Sequence, residues 1–339
     1  MKKALCALTI IISIALSGCG GSVWANYRPV EALQPVEAVG FDRVGQEVEL
    51  TVTAPMLRKT DVPLLTARGR EVETAAAALE QCAGEETLFF SPVRFALLGR
   101  EAGAQEVEEL FHWFTHSGRS RLDLPVLMVR NESPRQLMEG VEAAGQKLSA
   151  VTEKPGVRPV TLLDRMAQLR RGAAALCPAV DSLPLTDHIP GAPAEARQAQ
   201  EAGYAVIRSG EKPVFLTEAE SMGAALLGQK SGTLSLTLPE GIARVTPLWC
   251  INRWEGDRLH VTLLYVARLP QTPAMDREAP EAAMEEQLTA SIEAVLARAA
   301  EMEADFLQLT DDGVFPAGAT WNILVRGRVL PPAGEEAQA

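Results

Sequence analysis

Aromatic residues are scarce in this chain, at 5% of 339 positions with 3 Tyr, and histidine occurs only 4 times. So little imidazole leaves few candidates for zinc ligation or histidine-based catalysis. Basic residues are outnumbered as well, 32 Lys plus Arg against 44 Asp plus Glu, for a net charge of −12. A surface of that sign repels phosphate backbones instead of releasing their counterions, so nucleic-acid binding is not expected. No G-x-S-x-G nucleophile elbow occurs anywhere. What is present is ordinary globular material, 47% hydrophobic and 22% charged, which excludes wholesale disorder and a polytopic membrane protein.

The amino end departs from that average. Met1-Lys2-Lys3 is a basic start, and Ala4–Ala15 is an apolar run of 12 residues, short of the roughly 20 needed to cross a hydrocarbon core. It reads as the apolar region of a signal peptide. Leu16-Ser17-Gly18-Cys19 follows at once, a bacterial lipobox: residues 1–18 form the signal peptide, and the Cys19 sulfur takes a diacylglycerol group before cleavage makes Cys19 the first residue. The lipid anchors the chain to the membrane without spanning it. Loss of Lys2 and Lys3 leaves 30 basic against 44 acidic residues, a balance of −14. On an anionic leaflet such a body is held off the surface, and residues 19–28, opening with Gly20-Gly21-Ser22, supply a flexible tether. Three further cysteines, Cys82, Cys177 and Cys250, are an odd set at spacings of 95 and 73. They match no zinc or redox motif and read as small buried hydrophobes.

Periodicity divides the rest. Val36–Phe41 and Glu47–Thr53 flank a turn, and alternation of Val48, Leu50 and Val52 predicts a hairpin with one buried face. Helices are predicted over Glu71–Cys82, Gln105–Thr115, from Ser133-Pro134 onward and over Thr161–Arg171, with strands at Val93–Leu98 and Leu124–Val129. This alternation predicts an α/β domain over residues 29–180. Pro178, Pro184, Pro190 and Pro193 place a linker at 181–200. A small α+β middle domain is predicted over 201–238, from a hairpin at Tyr204–Arg208 and Pro213–Leu216, the capping box Thr217-Glu218-Ala219-Glu220, a helix ending at Gly228, and a strand at Thr233–Leu238. A last domain, 239–331, holds strands at Thr246–Arg253, Leu259–Arg268 and Trp321–Leu330. It also holds a long helix at 281–306 with Met284, Leu288, Ile292, Val295, Ala299, Met302 and Phe306 on one apolar stripe. Residues 332–339 read as a disordered tail. The fold class is therefore mixed α+β, multi-domain and elongated.

The order of these pieces resembles the Ger(x)C family, the lipoprotein C subunit of spore germinant receptors. The residues that carry the resemblance are Val36–Asp42, Leu50–Thr53, Leu88–Ser91 and Leu97–Glu101 in the first half. Gly203–Ile207, Pro213–Glu220, Leu226–Gly228, Glu303–Phe306 and Trp321 continue it. Behind the lipobox it spans nearly the whole mature chain. The family pattern has His where Pro92 stands and Arg-Asp where Thr115-His116-Ser117 stands, and the stretch between Asp305 and the last strand is short. The resemblance implies a non-enzymatic protein on the outer face of the spore inner membrane, with A-type and B-type membrane subunits as partners and no cofactor. A substrate-binding lipoprotein of a transporter is the alternative, requiring two similar lobes around a cleft; an anchored hydrolase is a third class.

Individual motifs add no chemistry. Gly223–Ser231 nearly spells a phosphate loop, but Gln229 is an extra residue before Lys230 and the segment reads as a helix with its glycine stop. His112 and His116 sit four apart on one helix without a third ligand. His188 falls in the linker and His260 on the polar side of a strand. Asp311-Asp312-Gly313 lacks the alternating oxygens of a calcium loop and reads as a turn. No catalytic, cofactor-binding or metal residue is nominated; Cys19 is the one modified residue, and Arg208–Lys212 is the first place to look for a partner contact.

Overall fold

A computed structural model describes residues 33–54, 64–84, 87–117, 121–143, 160–172, 174–184, 196–228, 232–238, 241–269 and 278–330. The leader, Cys19, the tether, His188 and the tail lie outside these residues. Three strands open the fold, β1 (Leu33–Pro35), β2 (Ala38–Val44) and β3 (Glu47–Thr53), followed by β4 (Leu64–Gly69) and α1 (Val72–Ala83). Asp42, Arg43 and Val44, expected in the turn, continue β2, and Gly45-Gln46 closes the β2–β3 hairpin, with Gly45 at φ 66, a conformation glycine adopts without strain. Next come β5 (Thr87–Phe89), β6 (Phe95–Leu98), α2 (Ala104–Ser117), β7 (Val126–Val129), α3 (Pro134–Ala143), α4 (Leu162–Gly172) and β8 (Ala174–Pro184). After β9 (Arg197–Arg208) and β10 (Val214–Phe215) lie α5 (Glu218–Leu227), β11 (Leu234–Leu238), β12 (Gly241–Glu255), β13 (Arg258–Arg268), α6 (Glu278–Glu301) and β14 (Thr320–Leu330).

Eight strands form one mixed sheet in the order β10-β9-β8-β7-β6-β2-β3-β4, with β2, β6, β7 and β8 mutually parallel. Parallel strands are covered on both faces, and here α1, α2 and α4 cover one side with Val72, Leu79, Leu110, Phe114 and Met166. Helix α3 covers the other with Leu137, Met138 and Val141. The β2–β3 hairpin is therefore not buried on one face only. Glu49, Thr51 and Thr53 are buried too, and Glu49 survives there because Arg68 Nε donates to its Oε2 at 2.6 Å.

The described ends of the predicted 181–200 linker are strand, 181–184 in β8 and 197–200 in β9, while 185–195 lie outside the described residues, and the predicted middle domain is divided between two sheets. Pro178 and Pro184 lie inside β8, and the register slips between Pro178 and Val180, the kind of bulge where a strand tolerates a residue without an N–H. The expected boundary at 180 thus cuts a strand. The predicted 204–216 hairpin forms as β9–β10, but it extends the large sheet. The helix after it, α5, packs on α6, and β11 belongs to a second sheet of four strands, β11-β12-β13-β14. One face of that sheet buries Val261, Leu263, Tyr265, Val325 and Val329 against Met284, Leu288, Ile292 and Val295 of α6. The helix stops at Glu301, earlier than 306. Glu303 takes φ 48, and Phe306 reaches the core from the following turn.

Candidate functional site

Parallel sheets present the carboxyl ends of their strands to a crevice where helices leave in opposite directions. Here α2 leaves β6 over one face and α3 leaves β7 over the other. Asp42 at the end of β2 lies against Gly99, where an added Cβ would come within 1.8 Å of its Oδ1. Burial raises the Asp42 carboxyl above its ordinary pKa; the Arg43 N–H opposes this, and Glu49 and Glu101 reinforce it. Arg43 Nε pairs with Glu106 at 2.8 Å. Beyond β7 is a polar hollow of about 390 Å³ lined by Asn131, Glu132, Gln136, Glu139, Gly140 and Arg197. Arg197 Nη1 lies 3.6 Å from Glu132 and donates to Ser182 Oγ at 3.2 Å.

A larger cleft, about 540 Å³, lies between the large sheet and α5, with Arg130, Glu201, Tyr204, Glu218, Ser221 and Ser235 among its walls. Gly203 makes it possible. Its φ is 82, and a Cβ there would stand 2.3 Å from Ser221 Oγ, so only glycine lets Tyr204 N donate to that hydroxyl at 3.2 Å. Arg130 spans the floor, donating to the Ala202 carbonyl at 3.1 Å and lying over the Phe215 ring at 5.8 Å. Burial, assisted by Glu201, raises the Tyr204 phenol.

The residues singled out in the sequence scatter. His112 and His116 lie side by side on α2 and are exposed, with His116 Nδ1 and the His112 carbonyl 2.9 Å apart. His260 is 3.5 Å from Glu255. Gly223–Gly228 is helix α5 and its stop, with the Gly228 N–H donating to the Ala224 carbonyl. Asp311–Gly313 is a turn in which Asp312 accepts from Val314 N at 3.2 Å. Among the described residues no three His, Cys, Asp or Glu side chains are grouped to hold a metal ion. Cys177 and Cys250 are buried, as expected of small hydrophobes, but Cys82 is exposed on α1. Lys212 is exposed and Arg208 half-buried, and both are neutralised locally, Arg208 by Glu211 at 3.3 Å and Lys212 by Glu101.

The surface that sequence reasoning missed is the outer face of the four-stranded sheet. Inward residues alternate with outward ones, and the ladder aligns the outward set in rows: Arg244 opposite Arg268, Thr246 and Val266 beside Arg328, Trp249 and Leu264 beside Arg326. Ile251, Thr262 and Leu324 form the next row, then Arg253, His260 and Asn322. The register shift between Pro247 and Trp249 inserts Leu248 as an extra residue, so Leu248 and Trp249 both project outward, 63% and 56% exposed. The same bulge hid the face from sequence reasoning, because it breaks the period-2 pattern.

Fold and surfaces together define a mixed α+β protein with sheets of eight, four and two strands, the last the parallel β1–β5 pair. No family model matches the sequence, and no curated protein matches it. Among solved structures, the crystal structure of the GerBC protein aligns with 86% of this chain and 96% of its own, at a TM-score of 0.49 and 12% identity.

Proposed function

We propose that this chain is a non-enzymatic lipoprotein subunit of a spore germinant receptor, held on the outer face of the spore inner membrane through Cys19 and acting by contact with A-type and B-type membrane subunits. The observation that carries the reading is the ordered run of Ger(x)C-like segments behind the Leu16–Cys19 lipobox. In the fold these segments occupy framework positions: β2 and β3 inside the large sheet next to its edge strand β4, β5 and β6 with the Gly99 turn, β9 and β10, the α5 capping box, and the start of β14. A chain without bond-making machinery can influence signalling only by a contact free energy that favours one state of its partners. Confinement to the membrane surface raises its effective concentration near them.

Cys19→Ala is the direct test. The variant is expected in the soluble fraction or unprocessed, without fatty-acid label, and germination is expected to be impaired while the fold persists. Label retained in the variant would refute the acylation site. A deletion strain that germinates normally with every nutrient handled by neighbouring A-type and B-type subunits would refute the receptor assignment.

A further inference from the structure

We propose that the outer face of the β11–β14 sheet docks on an anionic lipid bilayer, with Leu248 and Trp249 entering the headgroup region and the surrounding arginines engaging lipid phosphates. The chain as a whole carries −12, yet among the described residues the strands of this face present Arg244, Arg253, Arg258, Arg268, Arg326 and Arg328 outward against one outward carboxylate, Glu255. Arg253 is partly matched within the chain by Glu255 at 3.5 Å and Arg326 by Glu285 of α6 at 2.9 Å, and Arg268 also has an interaction within the chain. Arg244 and Arg328 have no ion-pair partner among the described residues, and they flank Val266 at one end of the sheet.

The charge inversion decides the orientation. An acidic body beside an anionic surface is repelled by every face except one whose local sign is reversed. Guanidinium groups suit phosphate because their planar forks donate two parallel hydrogen bonds. A tryptophan beside exposed aliphatic side chains is the composition that partitions into the headgroup boundary. Along β12, β13 and β14 the surface is an open sheet face, with the cleft of about 540 Å³ reaching only its β11 edge at Ser235, a shape that fits a plane. The stand-off expected from net charge alone is thereby reversed for this one side. The proposal goes beyond the receptor reading and does not depend on it.

The test uses the mature chain carrying Cys19→Ser, so that no acyl group contributes, and vesicles of phosphatidylcholine with or without phosphatidylglycerol. Sedimentation with the anionic vesicles is expected at low ionic strength and release at high, with little binding to the neutral ones. Quenching of tryptophan fluorescence by brominated lipid is expected and should be lost in Trp249→Phe. Arg244→Glu with Arg328→Glu should weaken binding by about tenfold or more, while Arg208→Glu with Lys212→Glu should leave it within about twofold. Equal binding to both vesicle types, equal loss in the two double variants, or no binding at all would overturn the proposal; the last outcome would assign the face to a protein partner. Should the arginine variant fail to fold, unquenched fluorescence in the parent chain overturns it alone. Failure here leaves the receptor assignment standing, because that assignment is tested by the deletion strain.

Discussion

Three cysteines that look alike in the sequence differ in what surrounds them. Cys177 on β8 is fully buried; burial pushes its thiol up to about 11, only partly offset by the Arg165 guanidinium. Burial likewise lifts Cys250 to about 11. Only Cys82 is exposed. Because the thiolate is the reactive form, a thiol reagent at mildly alkaline pH is expected to modify Cys82 alone in the native chain expressed from residue 19 with Cys19→Ala, which lacks Cys6 as well, and all three after unfolding. Rapid native modification of Cys177 would contradict its burial. Gly327 carries a different residue-level constraint: the Tyr265 ring lies over it, so that an added Cβ would stand 2.2 Å from Cζ. Gly327→Ala should cost about 1–3 kcal/mol by overpacking. The loss should shrink when Tyr265 is also replaced by Leu, as a double-mutant cycle by denaturant titration would show.

At the scale of elements, α5 shows how a local sequence rule becomes a tertiary tie. Thr217 N donates to Glu220 Oε2 at 2.7 Å and Glu220 N to Thr217 Oγ1 at 3.3 Å, completing the capping box read from the sequence. Arg298 of α6 then donates to the other Glu220 oxygen at 2.8 Å. Burial alone would raise the Glu220 carboxyl, but these bonds outweigh it and hold its pKa below the ordinary value. A carboxyl shifted this way stabilises the fold above its unfolded pKa and loses that contribution as pH falls through the folded one. Glu220→Gln should therefore lower stability by about 1–2 kcal/mol at neutral pH. The melting-temperature gap should close in acid; a gap independent of pH would contradict the ion pair. Elements with their own local pattern were legible in this way: α3 after Ser133-Pro134, and α1 and α4 from their helical spacing. What escaped depends on neighbours distant in sequence. Proline in β8 is acceptable only because a bulge absorbs it. Burial of Glu49 depends on α3 and on Arg68, and the apolar-basic face emerges only when the ladder sets β12, β13 and β14 in register.

Across the whole molecule the two sheets share material. Ala174 of β8, Val206 of β9 and Leu216, from strands or turns of the large sheet, pack into the core of the small one. Gly172 at the end of α4 meets the backbone of Gly313, where an added Cβ would lie 2.9 Å from the Gly313 Cα. The α5–α6 crossing is as close: Gly223 faces the Ser291 carbonyl at a distance of 2.1 Å for the same notional atom. A string of independent domains would unfold in steps, whereas halves that share β8, β9 and the Gly172–Gly313 contact should unfold together. Ile292 is the residue with which to test this, since it is fully buried on α6 within the second core. Ile292→Asp places an unpaired carboxylate there and should cost about 4 kcal/mol or more. If the halves are coupled, calorimetry of the variant will show one transition moved to lower temperature, with far-UV circular dichroism and fluorescence of Trp113 in the first core following the same curve. A transition in which Trp113 reports the parent melting temperature while the small sheet is lost would show that the large sheet stands alone.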